Sequence, residues 1–171
     1  YIICVIASLV LVLLPLCCRS VYSSVPQNYI LLTLFTLCFS YLVAEITCVY
    51  SPQNVLAVLF LTILIVGALI IYALKTKEDF SFMGGMLCVF LILLIASSLI
   101  LILIPIPFLY LLYDILGLII FSIYLVFDVQ LLVGDKANKF NEDDYILAAM
   151  KIYLDIINIF IKLLSLFNRR E

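Results

Sequence analysis

The sequence predicts an all-α polytopic membrane protein of six helices, five strongly apolar and the sixth more polar, and three observations carry that expectation. The 171 residues are 68% hydrophobic and only 12% charged, with a mean hydropathy of +1.37. A soluble domain is about one quarter charged and under half apolar, and no soluble core could cover this much apolar surface, so a lipid bilayer must be the partner that covers the rest. Second, the apolar residues fall into runs near the roughly 20 residues that a helix needs to cross the hydrocarbon layer. Third, basic residues occupy alternate linkers only.

The first run is Tyr1 to Cys18, ended by Arg19 and a polar stretch to Asn28. The second, Tyr29 to Tyr50, stops at the turn Ser51-Pro52-Gln53-Asn54. The third, Val55 to Leu74, is closed by Lys75, Lys77, Glu78 and Asp79, and the fourth, Met83 to Ile104, by Pro105-Ile106-Pro107. The fifth runs from Phe108 to Val133. A charged loop, Asp135 to Asp144, then precedes the sixth helix, Tyr145 to Phe167. Nothing reads as a domain boundary, so residues 1–171 are expected to form a single transmembrane helical domain. The chain opens at Tyr1, already inside an apolar run and without Met, so a preceding helix or targeting segment is expected.

Linkers after the first, third and fifth runs carry Arg19, Lys75, Lys77, Lys136 and Lys139, and those after the second and fourth carry no basic residue. Alternate linkers lie on one side of the membrane, so the positive-inside rule places these three in the cytosol or its equivalent. The sixth helix disagrees, because a full crossing puts Arg169 and Arg170 on the uncharged side. A full crossing, a re-entrant path and an interfacial helix all remain open at this point.

Composition also removes function classes. A net charge of −2 with no basic stripe excludes nucleic acid as a partner. Histidine is absent, which removes the usual Ser/His and Cys/His nucleophile pairs and the commonest zinc ligand. Tyr113-Asp114 looks like one half of an intramembrane aspartyl protease, but the GxGD half is not found, and no enzyme is expected. The six cysteines, Cys4, Cys17, Cys18, Cys38, Cys48 and Cys88, lack CxxC spacing and read as small membrane-helix residues. Cys17 and Cys18, beside Arg19, are also placed for palmitoylation. No cofactor is expected from these residues.

Six charged residues lie within apolar runs: Glu45, Asp114, Asp128, Lys151, Asp155 and Lys162. Each costs a few kcal/mol at bilayer depth unless it pairs, snorkels or faces water. Lys151, Asp155, Asn158 and Lys162 are spaced to share one face of a helix. That stripe fits either an interfacial amphipathic helix or a helix facing a polar conduit inside a bundle. Asp114 and Asp128 share a face of the fifth run. Asp114, near its start, suits a capping or interfacial role at the positive end of the helix dipole. Glu45 suits either an interface or a buried pair.

The segments YLVFDVQLLVG (Tyr124 to Gly134) and DDYILAAMKIYLDIINIF (Asp143 to Phe160) resemble the transmembrane Bax inhibitor motif, or lifeguard, family. LCC with PQNYILLTLFT (Leu16 to Cys18, Pro26 to Thr36) and TKEDFSFMGG (Thr76 to Gly85) agree with the same family in order. The resemblance implies a seven-helix bundle with the last helix central, of which this chain would supply six. It implies a pH-sensitive Ca²⁺ leak and suppression of cell death, in an endomembrane (ER or Golgi) or the mitochondrial inner membrane. It carries the family's paired aspartates onto Asp128 and Asp155, as proton-sensing gate and Ca²⁺ site. Two carboxylates held together in a dry bundle share one proton, and the opened pair offers hard oxygens suited to Ca²⁺.

The chain also departs from the family. Lys151 stands where relatives usually have a neutral polar residue, one turn from Asp155. Val129 replaces the usual Thr in FDVQ, and Glu45 and Asp114 occupy positions expected to be neutral. Lys151, Asn158, Glu45 and Asp114 are therefore expected to modulate the site. A non-conducting structural subunit of a larger membrane assembly is the competing reading.

Overall fold

A computed structural model of the chain describes residues 26–78, 80–133 and 145–168. These form five helices: α1 (Gln27–Thr47), α2 (Pro52–Lys75), α3 (Gly84–Leu103), α4 (Pro107–Val133) and α5 (Tyr145–Asn168), with a 3₁₀ turn Ser81–Met83 before α3. Prolines set several boundaries. Pro52 and Pro107 each take the first helical position of α2 and α4, where a missing N–H costs nothing and the fixed φ favours the helix. Ile104, the residue before Pro105, has left the helix at φ −128° and ψ 86°, as the clash with a following proline ring requires. Lys75 closes α2, a cation at the negative end of the helix dipole.

The expected runs after the first all appear as helices with ends shifted by up to three residues. The third run starts three residues early, at α2, where Pro52, Gln53 and Asn54, read as a turn, instead form the first helical turn. The count of six helices is corrected: the described residues form five. The expected first helix, Tyr1 to Cys18, lies outside the described residues, as do Arg19, the Cys17-Cys18 pair, the loop 134–144 and Arg169-Arg170. The spans follow the expected pattern of strongly apolar helices before a more polar last one. Four helices, α1 to α4, are long and apolar enough to cross a membrane, and α5 is not among them. Lys151, Asp155 and Lys162 interrupt its apolar sequence, and each charge costs a few kcal/mol at bilayer depth. In place of the expected six helices of a seven-helix bundle, the described residues thus supply five.

The helices fall into two compact units. One comprises the described residues up to Ser51 with the start of α5 up to Lys151. It is held by a polar cluster. Buried Asn28 donates from Nδ2 to the Tyr145 hydroxyl at 3.2 Å, Tyr145 donates to the Tyr29 hydroxyl at 3.1 Å, and the Tyr29 N–H donates to Asn28 Oδ1 at 2.8 Å.

The other unit runs from Pro52 through α4 and continues with α5 from Ile152. Here α4 packs against both α2 and α3. From α2 the buried residues are Val58, Thr62, Val66 and Ala73, one stripe at helical spacing. From α3 they are Leu87, Leu94 and Leu101, a seven-residue repeat that makes a narrow packing seam. On α4 the buried apolar residues include Leu125, Val126 and Val129. Only 11% to 28% of each spanning segment is buried within the chain, so most of this apolar surface, Phe60 and Ile102 among it, needs lipid against it. The protein is an integral membrane protein.

Candidate functional site

Both aspartates singled out from the sequence are buried, Asp128 at 4% exposure on α4 and Asp155 at 5% on α5. They belong to the same unit, and the phenol of Tyr124 lies within electrostatic range of both carboxylates. Tyr124 stands one turn before Asp128, and its hydroxyl donates to the carbonyl of Leu87 at 2.7 Å, which ties α4 to α3. Oδ2 of Asp155 is shielded from solvent with no hydrogen-bond partner of its own, while the carboxyl as a whole has a further interaction.

The same end of α4 is clamped by Gln130, the last residue of FDVQ. Its Nε2 donates to the Glu78 carbonyl at 3.0 Å, and its Oε1 accepts from the Phe80 N–H at 3.1 Å. One side chain thus satisfies two backbone groups of the α2–α3 connection, where no helix or strand ladder can do so. Phe80 sits edge-on to Tyr72, with ring centroids 6.4 Å apart, and Gly84 lets the Phe127 ring approach to 3.2 Å from where a Cβ would stand. TKEDFSFMGG and FDVQ are separate segments of the sequence. The structure brings them together around Gln130, a residue the sequence reading had given no role.

The remaining sequence candidates are dispersed. Lys151 is half-buried, one turn before Asp155 on α5, and Asn158 donates from Nδ2 to the Leu154 carbonyl at 2.8 Å, a bond within its own helix. Glu45 is exposed two residues from the end of α1 and accepts a 2.6 Å hydrogen bond from the Tyr41 hydroxyl one turn earlier. That is the geometry of an interfacial carboxylate rather than a deeply buried pair.

Asp114 differs most from expectation. It is the eighth residue of α4 rather than a cap, and it is 5% exposed. Its Oδ1 accepts a hydrogen bond from Lys162 Nζ at 3.1 Å, and its Oδ2 accepts one from Ser165 Oγ at 2.6 Å. The Lys162 ammonium also lies 3.5 Å from the centroid of the Tyr113 ring. Lys162 is thereby taken out of a solvent-facing stripe and placed in a buried interhelical ion pair. The available signal was Gly117, one turn beyond Asp114, whose missing Cβ leaves room for the lysine stem.

Among the described residues no group of three or more His, Cys, Asp or Glu is arranged to hold a metal ion. Two carboxylates are short of the six to eight oxygens of a resident Ca²⁺ site.

Comparison with known proteins agrees with the membrane architecture. The family model described as Bax1-I, inhibitor of apoptosis-promoting Bax1, matches residues 1–171. The chain is 34% identical to protein lifeguard 3 of Homo sapiens over 159 residues, 91% of this chain and 51% of that protein. It is 33% identical to protein lifeguard 3 of Mus musculus over 159 residues, 91% of this chain and 52% of that protein. Similarity to a BI1-like protein of Arabidopsis thaliana is 36% over 150 residues, 85% of this chain and 57% of that one. The chain spans about half the length of the curated relatives it matches.

Proposed function

The chain belongs to the family of inhibitors of apoptosis-promoting Bax1, and from that premise we propose that it restrains cell death from within a membrane by a pH-sensitive Ca²⁺ leak. Asp128 and Asp155 act as gate and transient cation site. The observation that carries this reading is the burial of both carboxylates in one helical unit, each within electrostatic range of Tyr124.

The mechanism follows from charge. At low pH the two carboxyl groups hold a shared proton and carry one negative charge between them. Raising the pH removes that proton and adds like-charge repulsion of up to about 4 kcal/mol at 4 Å and an effective dielectric of 20. Separation of α4 from α5 relieves the repulsion, and the exposed oxygens then attract Ca²⁺, here the transported substrate. Opening therefore increases as pH rises. Tyr124 and Cys88 are titratable groups near this end of α4 in the same unit, Glu78 and Tyr72 lie at the α2–α3 connection that Gln130 clamps, and Lys151 is the cation one turn away along α5.

Lys151 favours a second reading. An ammonium beside Asp155 neutralises the carboxylate and repels cations, which suits a non-conducting subunit of a larger assembly. Purified full-length protein in Ca²⁺-loaded liposomes separates the two. A channel loses at least tenfold of its flux or changes its pH response in Asp128→Asn and Asp155→Asn. A structural subunit co-purifies stoichiometrically with partners and shows flux indifferent to either change.

A further inference from the structure

The conduction reading leaves Asp114, Tyr113, Gly117, Lys162 and Ser165 without a task, yet they form a buried polar cluster of their own between α4 and α5. The Lys162 ammonium is 3.1 Å from Asp114 Oδ1 and 3.5 Å from the Tyr113 ring centroid. Ser165 holds the other carboxylate oxygen at 2.6 Å, fixing the orientation of the carboxylate. The side chains of Lys162 and Asp114 retain only 10% and 7% of their exposure. A carboxylate with an aromatic face beside it is the chemistry that recognises ammonium ions, by a charge-assisted hydrogen bond and by the ring quadrupole. The cradle is shaped for the stem as well: a Cβ on Gly117 would stand 2.8 Å from Lys162 Cε and 3.2 Å from its Cδ.

We propose that Asp114, Tyr113 and Ser165, over the Gly117 cradle, form a binding site for a primary ammonium, which Lys162 fills as a tethered ligand. The tether makes occupancy intramolecular, at a high effective concentration, so no free cation displaces it. Asp114 lies about 21 Å from Asp128 along α4, at 1.5 Å per residue, so this is a separate site from the aspartate gate. An open apolar groove of about 960 Å³, lined in part by Leu111, Ile115, Leu163 and Leu166, lies on the same two helices. Lys162 in place also closes this end of the α4–α5 seam to other cations. That consequence rests on the conduction reading, and the site itself does not.

Lys162→Ala removes Cγ to Nζ, the fragment that n-propylammonium restores. Full-length Lys162→Ala in detergent is titrated with n-propylammonium chloride against sodium chloride of equal ionic strength, reading the melting temperature. The expected result is a saturable rise of several degrees that is absent from wild type and from Asp114→Asn/Lys162→Ala. No saturable rise, or an equal rise in the double variant, overturns the proposal. Should Lys162→Ala not fold, reductive methylation with formaldehyde and borane, read by mass spectrometry, replaces it. Lys162 is then protected in wild type while exposed Lys75 and Lys77 are modified, and becomes at least tenfold more reactive in Asp114→Asn. Equal reactivity in the two proteins overturns the proposal. Ca²⁺ flux is a separate readout: ammonium binding with no flux keeps this site and sinks the conduction reading, and flux without ammonium binding does the reverse.

Discussion

Replacing Gly117 with alanine tests whether the buried ion pair is as tightly built as its distances indicate. In a helix interior alanine is favoured over glycine by about 1 kcal/mol, so the substitution starts with a gain. At Gly67 of α2 an added Cβ meets nothing within 4 Å, and Gly67→Ala is expected to be neutral or to stabilise by up to about 1 kcal/mol. At Gly117 the new Cβ meets Lys162 Cε at 2.8 Å. A lysine tip normally swings aside, but this one is held by Asp114 at 3.1 Å and lies 3.5 Å from the Tyr113 ring centroid, so making room loosens both contacts. Overpacking of a well-filled site costs about 1–3 kcal/mol, and Gly117→Ala should fall below Gly67→Ala by that amount. Reversible unfolding of the full-length protein in bicelles, followed by steric trapping, measures the gap. In a Lys162→Ala background the gap should vanish. Equal stability of the two alanine variants, or a gap that persists without the lysine, would show that the Lys162 tip is not held in place.

Asp114→Leu leaves the Lys162 ammonium buried without its carboxylate and should cost about 3–5 kcal/mol, whereas an apolar pair at both positions is close to neutral. Asp114→Leu/Lys162→Met is therefore expected to recover most of the loss in the same unfolding assay. Gln130→Leu strands the Glu78 carbonyl and the Phe80 N–H. It should destabilise the α2–α3 connection by about 1–3 kcal/mol, seen as faster amide hydrogen exchange at Phe80 with exchange in the middle of α2 unchanged.

The spans were legible because their signal is local. A run of apolar residues closed by Pro105 and Pro107, or by Lys75, is read without knowing what it packs against. Pro52 was misread as part of a turn because proline serves equally at a turn and at the first residue of a helix. Asp114 was misread for a different reason. Its partner lies 48 residues away on another helix, and helical periodicity gives a residue's face without the neighbour on that face. The same applies to Asp128 and Asp155, which periodicity marked only as costly and which the resemblance alone singled out as a pair. Gln130 escaped notice because an uncharged amide near the end of a helix has no energetic signature until the backbone groups it satisfies are known.

Ca²⁺ efflux from liposomes containing the full-length protein, followed from pH 6 to pH 8 in wild type, Asp155→Asn and Lys151→Asn, decides whether the buried aspartates gate a leak. Flux should rise with pH in wild type and lose its pH dependence in Asp155→Asn. Wild-type flux that is absent at every pH, or that keeps its pH dependence without the Asp155 carboxylate, would contradict that gating, and flux appearing only in Lys151→Asn would mark a member held shut by its own lysine.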